Sequence, residues 1–257
     1  MKKLLFALVL VSMLFVTDSC NEDKAAPEQT GVVELVFRGS FGNSPLMMYD
    51  REYPYAAGMS LRFQLFRFYL SDIILVQQVS PAKKGILGAE IALVDFKDVQ
   101  SEASAKDGIV IRLENIPAGD YRGLQTGIGI SSKLNRTNPG DYDPLHPLSD
   151  NYWSAAMGYV FTKIEGNADM NGDGVFDEKL TFHIGGDPFY RDKPFDKAFT
   201  VEPDGVTRLE FDVDLRRVLV ATPDDFLDFR KVSIDHGGNK NIGNFISDNL
   251  ANAIRIR

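Results

Sequence analysis

Residues 59–79 read MSLRFQLFRFYLSDIILVQQV, and this run decides the fold. Apolar side chains fill six of the nine positions from Phe66 to Ile74, which is typical of a central β-strand covered on both faces. Such a strand belongs to the interior of a sheet. We therefore interpret the run as hydrophobic core rather than as a cofactor groove.

Segments on both sides of this run show the alternation expected of half-buried strands. The alternating apolar positions include Val33, Leu35 and Phe37; Ile91 and Leu93; Ile109 and Ile111; and Leu209, Phe211 and Val213. Alternation lets one face of a strand contact the core while the other meets water. Because Gly, Pro, Asn and Asp clusters separate the segments, the sequence predicts an all-β fold, a two-sheet antiparallel β-sandwich. A helical period appears near the end of the chain and predicts one short C-terminal helix over residues 241–253.

The first thirty residues predict export. Lys2 and Lys3 precede a near-apolar run that ends at Val16, which is typical of a signal peptide, and Cys20 stands where a bacterial lipoprotein is cleaved and acylated. We predict a lipoprotein signal peptide over 1–20 with Cys20 as the lipidation site, a flexible tether over 21–30, and one β-sandwich domain over 31–257. The expected location is the outer membrane, on its periplasmic or cell-surface side. An ordinary cleaved signal with an incidental thiol is the alternative.

Composition excludes several classes of partner and site. The formal net charge of -8 argues against nucleic acid as a partner. Cys20 is the only cysteine, so the monomer has neither a disulfide nor a thiolate metal site, and any bound metal must use oxygen and nitrogen ligands. The chain contains no phosphate-binding loop, no G-x-S-x-G elbow and no H-E-x-x-H helix. We therefore expect a binding protein without catalytic residues rather than an enzyme.

An oxygen-rich run between two strand-like segments resembles a calcium loop. In such loops, side-chain oxygens at positions 1, 3 and 5 converge on the ion, a glycine at position 6 permits the turn, and the carbonyl at position 7 joins them. The twelfth position is Leu180 rather than glutamate, which favours a hairpin tip over a complete EF-hand. A solvated turn without an ion is the alternative. The predicted calcium ligands are Asp169, Asn171, Asp173, the carbonyl of Val175, and a carboxylate from Asp177 or Glu178.

The only tryptophan lies in the segment HPLSDNYWSAAMGYVFTKIEG, residues 146–166, and a second notable segment, FHIGGD, covers residues 182–187. The chain also contains FYLSDI at 68–73, NIPAGDY at 115–121, GIGI at 127–130 and DNL at 248–250. Together these segments resemble the MbnP-like copper-binding family. The founding members of that family accompany methanobactin operons, and Bacteroidetes have many lipoprotein versions.

The resemblance implies a β-sandwich that binds copper outside the cytoplasm. In relatives, a partner dihaem cytochrome c peroxidase oxidises a tryptophan to kynurenine, which then ligates copper together with histidines. An indole N–H can only donate a hydrogen bond, whereas the opened ring offers an aniline nitrogen. Trp153 matches the first tryptophan of the family's YW-x-W pattern, and His183 matches the histidine of its His-Leu-Gly segment. Ala155 stands where many relatives carry a second tryptophan.

The copper-ligand hypothesis therefore names His183, His146 and Trp153, with His236 as a further candidate. Each residue also has an ordinary structural explanation: a core aromatic for Trp153, an outward-facing polar residue for His183, and loop histidines for the other two. In a second hypothesis, the chain is a calcium-stabilised cell-surface module that binds glycans or proteins. That module would use Trp153, Tyr152 and Tyr142 as a stacking surface. In a third hypothesis, Trp153 is an oxidation substrate or electron relay for the dihaem partner.

Overall fold

A computed structural model describes residues 29–78 and 84–257. The predicted signal peptide, Cys20 and most of the predicted tether lie outside the described residues. Thr30, the last residue of that tether, is already the first residue of a strand and pairs with Pro117.

The described chain forms strands throughout, with four α-helices. In chain order, the strands are β1 (Thr30–Phe41), β2 (Ser44–Pro45), β3 (Tyr53–Pro54), β4 (Ser60–Gln77), β5 (Lys84–Asp95), β6 (Ile109–Pro117), β7 (Gly119–Ile128), β8 (Tyr152–Ser154), β9 (Gly158–Asp169), β10 (Glu178–Gly185), β11 (Arg191–Phe195), β12 (Phe199–Val201), β13 (Val206–Asp214), β14 (Val220–Thr222), β15 (Asp225–Phe226), β16 (Ile234–Asp235) and β17 (Ile254–Ile256). The helices are α1 (Glu102–Asp107), α2 (Ser132–Asn135), α3 (Leu215–Leu219) and α4 (Lys240–Ala253).

The strands form two main sheets, which confirms the predicted all-β sandwich. A five-stranded sheet has the order β17-β13-β1-β2, with β6 also paired to β1. A ten-stranded sheet has the order β11-β7-β4-β9-β10-β16, with β3, β5, β8 and β12 paired alongside. Two pairings, β1 with β13 and β10 with β16, are parallel rather than antiparallel. Alternation could not reveal this, because side chains alternate in the same way in both kinds of pairing.

The main core lies between the two sheets. Phe37 on β1 meets Phe68 on β4 edge to face, with ring centroids 6.4 Å apart, and stacks on Phe211 of β13 at 4.8 Å. All three side chains are buried. The predicted central strand is confirmed, because β4 pairs with β5, β7 and β9.

Helix α4 confirms the predicted C-terminal helix and begins one residue earlier than expected. The Asn239 side chain caps it by accepting the amide hydrogens of Asn241 and Ile242. Its buried face includes Ile246 and Leu250, at helical spacing. No helix in the described part of the chain has the length and apolar character needed to cross a lipid bilayer.

The outer face of the ten-stranded sheet carries a second, smaller cluster of buried side chains, which positions the site described below. Its members are Tyr69, Ile130, Leu134, Leu148, Tyr159 and Phe161. The Tyr69 hydroxyl donates to the Pro147 carbonyl at 2.7 Å and accepts from Asn151 Nδ2 at 2.9 Å. These bonds fix the segment that leads into β8.

Candidate metal centre

The parallel pairing of β10 with β16 places His183 beside His236. Phe182 is the register partner of Asp235, so the next residue of each segment is a histidine. The two Nδ1 atoms lie 3.3 Å apart, and the ring centroids are 5.0 Å apart. Two imidazoles that are 53 residues apart in sequence therefore meet at one point on the surface.

This separation fits a shared metal ion. Two nitrogens that each lie about 2.0–2.1 Å from a tetrahedral ion are about 3.3 Å apart. The observed Nδ1–Nδ1 distance of 3.3 Å has that value. An ion bound by both Nδ1 atoms would take the place of the hydrogen bond between the two rings.

Glu165 orients the ring of His183. Its Oε1 lies 2.7 Å from His183 Nε2, on the opposite side of the ring from His236. When Nε2–H donates to this carboxylate, the lone pair of Nδ1 is left for a metal, which is the usual arrangement around metal-binding histidines.

The surroundings of His183 favour its neutral form. Burial lowers the pKa of His183, the bond and charge of Glu165 oppose that effect, and the positive charges of Lys163 and His236 lower the pKa further. The pKa remains below its ordinary value of 6.5. A neutral imidazole is the form that binds metals.

A cavity of about 400 Å³ opens beside the histidine pair. It is lined by Asn151, Tyr152, Trp153, Val160, Lys163, His183 and His236. Lys163 on β9 is the direct cross-strand partner of His183, and Glu165 follows on the same face of the strand. Burial lowers the pKa of Lys163.

Trp153 forms part of the wall of this cavity. Tyr152 on β8 pairs with Tyr159 on β9, which brings the neighbouring indole to 6.3 Å from the His236 ring, measured between centroids. Trp153 is 37% exposed, so it is not a core aromatic. Gly237 has a φ of +79°, and a Cβ at this position would lie 3.1 Å from the indole. The turn after His236 therefore needs glycine to approach Trp153 so closely.

His146 does not line the cavity. Its ring stacks on Tyr142 with centroids 4.1 Å apart, and its Nδ1 accepts the amide hydrogen of Leu148. The structure thus brings His183, His236 and Trp153 together and leaves His146 in a structural role outside the cavity. Only Trp153 of the predicted stacking aromatics is exposed, because Tyr142 and Tyr152 pack against the smaller cluster.

Sequence reasoning missed Lys163 and Glu165. The hairpin of β9 and β10 was predicted, and its register would have placed these side chains next to His183. Fixing that register required the bounds of both strands. The sequence shows strand-like runs at 158–164 and 180–184, and both β9 and β10 extend beyond them.

The loop between β9 and β10 holds its oxygen atoms in internal hydrogen bonds. Asp169 Oδ1 accepts from the amide of Gly172 at 2.7 Å, and Oδ2 accepts from the amide of Gly174 at 2.8 Å. Glu178 accepts from the Ser233 hydroxyl. Across residues 29–78 and 84–257, no group of three or more His, Cys, Asp or Glu side chains is arranged to hold a metal ion. The hairpin is confirmed, but its geometry does not support the predicted calcium ion.

Comparison with known proteins identifies relatives. A family model described as MbnP matches residues 30–239. Among solved structures, MbnP from Methylosinus trichosporium aligns with a TM-score of 0.54 at 17% sequence identity, over 76% of this chain and 78% of that one. At this level of identity, the structural match shows a shared fold. No curated protein sequence matches the chain.

Proposed function

Because the chain belongs to the MbnP family, we propose that it binds copper outside the cytoplasm as an exported lipoprotein. Its role is to capture or deliver the ion rather than to catalyse a reaction. The observation that carries the proposal is the 3.3 Å separation of His183 Nδ1 and His236 Nδ1. Imidazole nitrogen suits copper, and the single cysteine of the chain leaves no thiolate pair to compete for the ion.

Substitution of the histidines tests this proposal directly. We expect the wild-type protein to bind one copper ion, and both His183→Ala and His236→Ala to lower the copper affinity at least about tenfold, because loss of a residue that merely supports a metal ligand already costs about that much. Competition against a chromophoric copper chelator measures the affinity. His146→Asn is the matched control, because asparagine keeps an acceptor for the Leu148 amide. Equal affinities in all four proteins would refute the histidine pair as the site.

The oxidation of Trp153 is a separate part of the proposal. The exposed indole lies beside His236, yet its N–H has no lone pair for a metal. A dihaem cytochrome c peroxidase that uses two equivalents of peroxide would cleave the indole C2–C3 bond and release C2 as formate. The kynurenine so formed would add a donor at this wall of the cavity. Because Ala155 occupies the position of the second tryptophan in many relatives, Trp153 is the only indole that can be modified here.

Mass spectrometry of protein purified from its native host tests the modification. We expect a mass shift confined to the peptide that contains Trp153, and no shift in a Trp153→Phe variant from the same host. An unmodified Trp153 peptide in copper-loaded native protein would show that copper binding does not need the oxidation.

A further inference from the structure

Lys163 is a cation placed against the histidine pair. It is the cross-strand partner of His183 and lines the same cavity as both imidazoles. Among the described residues, no carboxylate lies within the 4.0 Å ion-pair distance of its ammonium. Three carboxylates act on Lys163 from beyond that distance: Asp150, which has the largest effect of the three, then Glu165 and Asp95. Asp150 is well exposed and lies 3.9 Å from Arg67, Glu165 is bonded to His183, and Asp95 is bonded to Arg67 at 2.9 Å.

This position of Lys163 is unfavourable for a bare metal ion. Like charges at one site repel each other, and neutral imidazoles contribute no negative charge to offset a bound cation. The Glu165 carboxylate is bonded to Nε2 of His183, on the far side of that ring from His236. The histidine pair also supplies only two donors, whereas a four-coordinate ion requires further ligands. An anion between the ion and Lys163 would satisfy both requirements.

The cavity has room for more than an ion. Its volume of about 400 Å³ falls in the range of small-molecule sites, and the share of one water in the liquid is only about 30 Å³. It opens to solvent on the outer face of the ten-stranded sheet, next to the exposed indole of Trp153. A small organic anion could therefore enter without rearrangement of the fold.

We propose that copper at His183 and His236 takes a small carboxylate-bearing molecule as a further ligand, with Lys163 holding the carboxylate. One carboxylate oxygen binds the ion and the other accepts a hydrogen bond from Lys163 Nζ. The inference rests on the copper binding proposed above. A free carboxylic acid and a carboxylate-bearing chelator that carries copper to the protein share this chemistry.

Copper titrations with and without carboxylate test the proposal. The wild-type protein is titrated with Cu²⁺ in degassed buffer without coordinating anions, then with acetate as a free carboxylate or glycine as a chelating one. After correction for copper bound by the additive itself, we expect either additive to raise the copper affinity about tenfold, within the usual range of coupling between two ligands. By linkage, copper must raise the affinity for the additive by the same factor. An effect of glycine alone would identify the source as a chelator.

Variants of Lys163 assign the effect to this residue. Lys163→Gln should abolish the effect of carboxylate on copper affinity, and Lys163→Arg should retain it. Lys179→Gln is the control and should leave the effect unchanged, because Lys179 is an exposed lysine on β10 outside the cavity. The Cu²⁺ paramagnetic resonance spectrum should change with carboxylate in the wild-type protein and not in Lys163→Gln. Copper binding without any carboxylate dependence would overturn this inference and leave the proposed function standing. Absence of copper binding in the wild-type protein would overturn both.

Discussion

His183 differs from the other two histidines in how closely charged groups surround its ring. Glu165 binds its Nε2, His236 faces its Nδ1, and Lys163 stands beside it on β9. The side chain is only 19% exposed, so water screens these charges less than at the surface. Burial is the largest cause of the lowered pKa of His183, Lys163 and His236 add to it, and Glu165 opposes it, so the neutral form of this ring follows chiefly from its burial.

The pKa of His183 should respond in opposite directions to two substitutions. Glu165→Gln removes a charge that raises this pKa, so the pKa should fall further, whereas Lys163→Gln removes a charge that lowers it, so the pKa should rise. Titration of the imidazole by nuclear magnetic resonance measures both shifts. Shifts of the same sign in the two variants would contradict this electrostatic account.

The lowered pKa also gives the metal-free protein a pH dependence of known sign. Because the folded pKa lies below the unfolded value of about 6.5, the unfolded chain binds more protons in the interval between the two. The contribution of His183 to stability is therefore complete above pH 6.5 and is lost as the pH falls through the folded value. A His183→Asn variant lacks this component, so its free energy of unfolding should approach that of the wild-type protein as the pH falls.

At the scale of elements, the β9–β10 hairpin links the acidic loop to the candidate metal centre. The amides of the loop donate to Asp169, a residue that is only 3% exposed. Burial alone would raise the pKa of Asp169, but hydrogen bonds from the amides of the loop hold the pKa below its ordinary value. The carboxylate thus stabilises the turn as an ionised acceptor at neutral pH.

Removal of the Asp169 carboxylate should therefore destabilise the hairpin without any involvement of calcium. We expect Asp169→Ala to lower the thermal midpoint by several degrees in calcium and in chelator alike, because the amides of Gly172 and Gly174 lose their acceptor. Asp177→Ala is the control, since Asp177 is an exposed residue of the same loop. A wild-type midpoint that rises with calcium, with the rise lost in both variants, would instead establish the calcium site.

Sequence patterns predicted the elements better than the contacts between them. Strand β4 and helix α4 carry long periodic signals, because each buries a continuous face. Strand β16 has two residues and no period, yet its parallel pairing alone sets His236 beside His183. Likewise, the approach of Gly237 to Trp153 depends on a turn whose φ is not encoded by any pattern of apolar residues. The sequence shows where the histidines are, but the register between β10 and β16 decides which of them lie side by side.

At the scale of the whole molecule, the two faces of the ten-stranded sheet have different roles. The inner face supplies the main core against the five-stranded sheet, and the outer face carries the smaller cluster and the cavity beside His183 and His236. Binding chemistry on the outer face can therefore vary without loss of the residues that hold the sheets together. Such a division is consistent with a shared fold at 17% identity.

Membrane attachment should depend on Cys20 rather than on the surface of the domain. The formal net charge of -8 opposes adsorption to anionic lipids, so we expect the membrane affinity to come from an acyl chain. In the native host, the wild-type protein should incorporate an alkynyl fatty acid and sediment with outer membranes, whereas Cys20→Ser should do neither. The purified Cys20→Ser protein should bind copper as the wild-type protein does, because His183 and His236 lie in the sandwich. A Cys20→Ser variant that still sediments with membranes would show that another part of the protein provides the attachment.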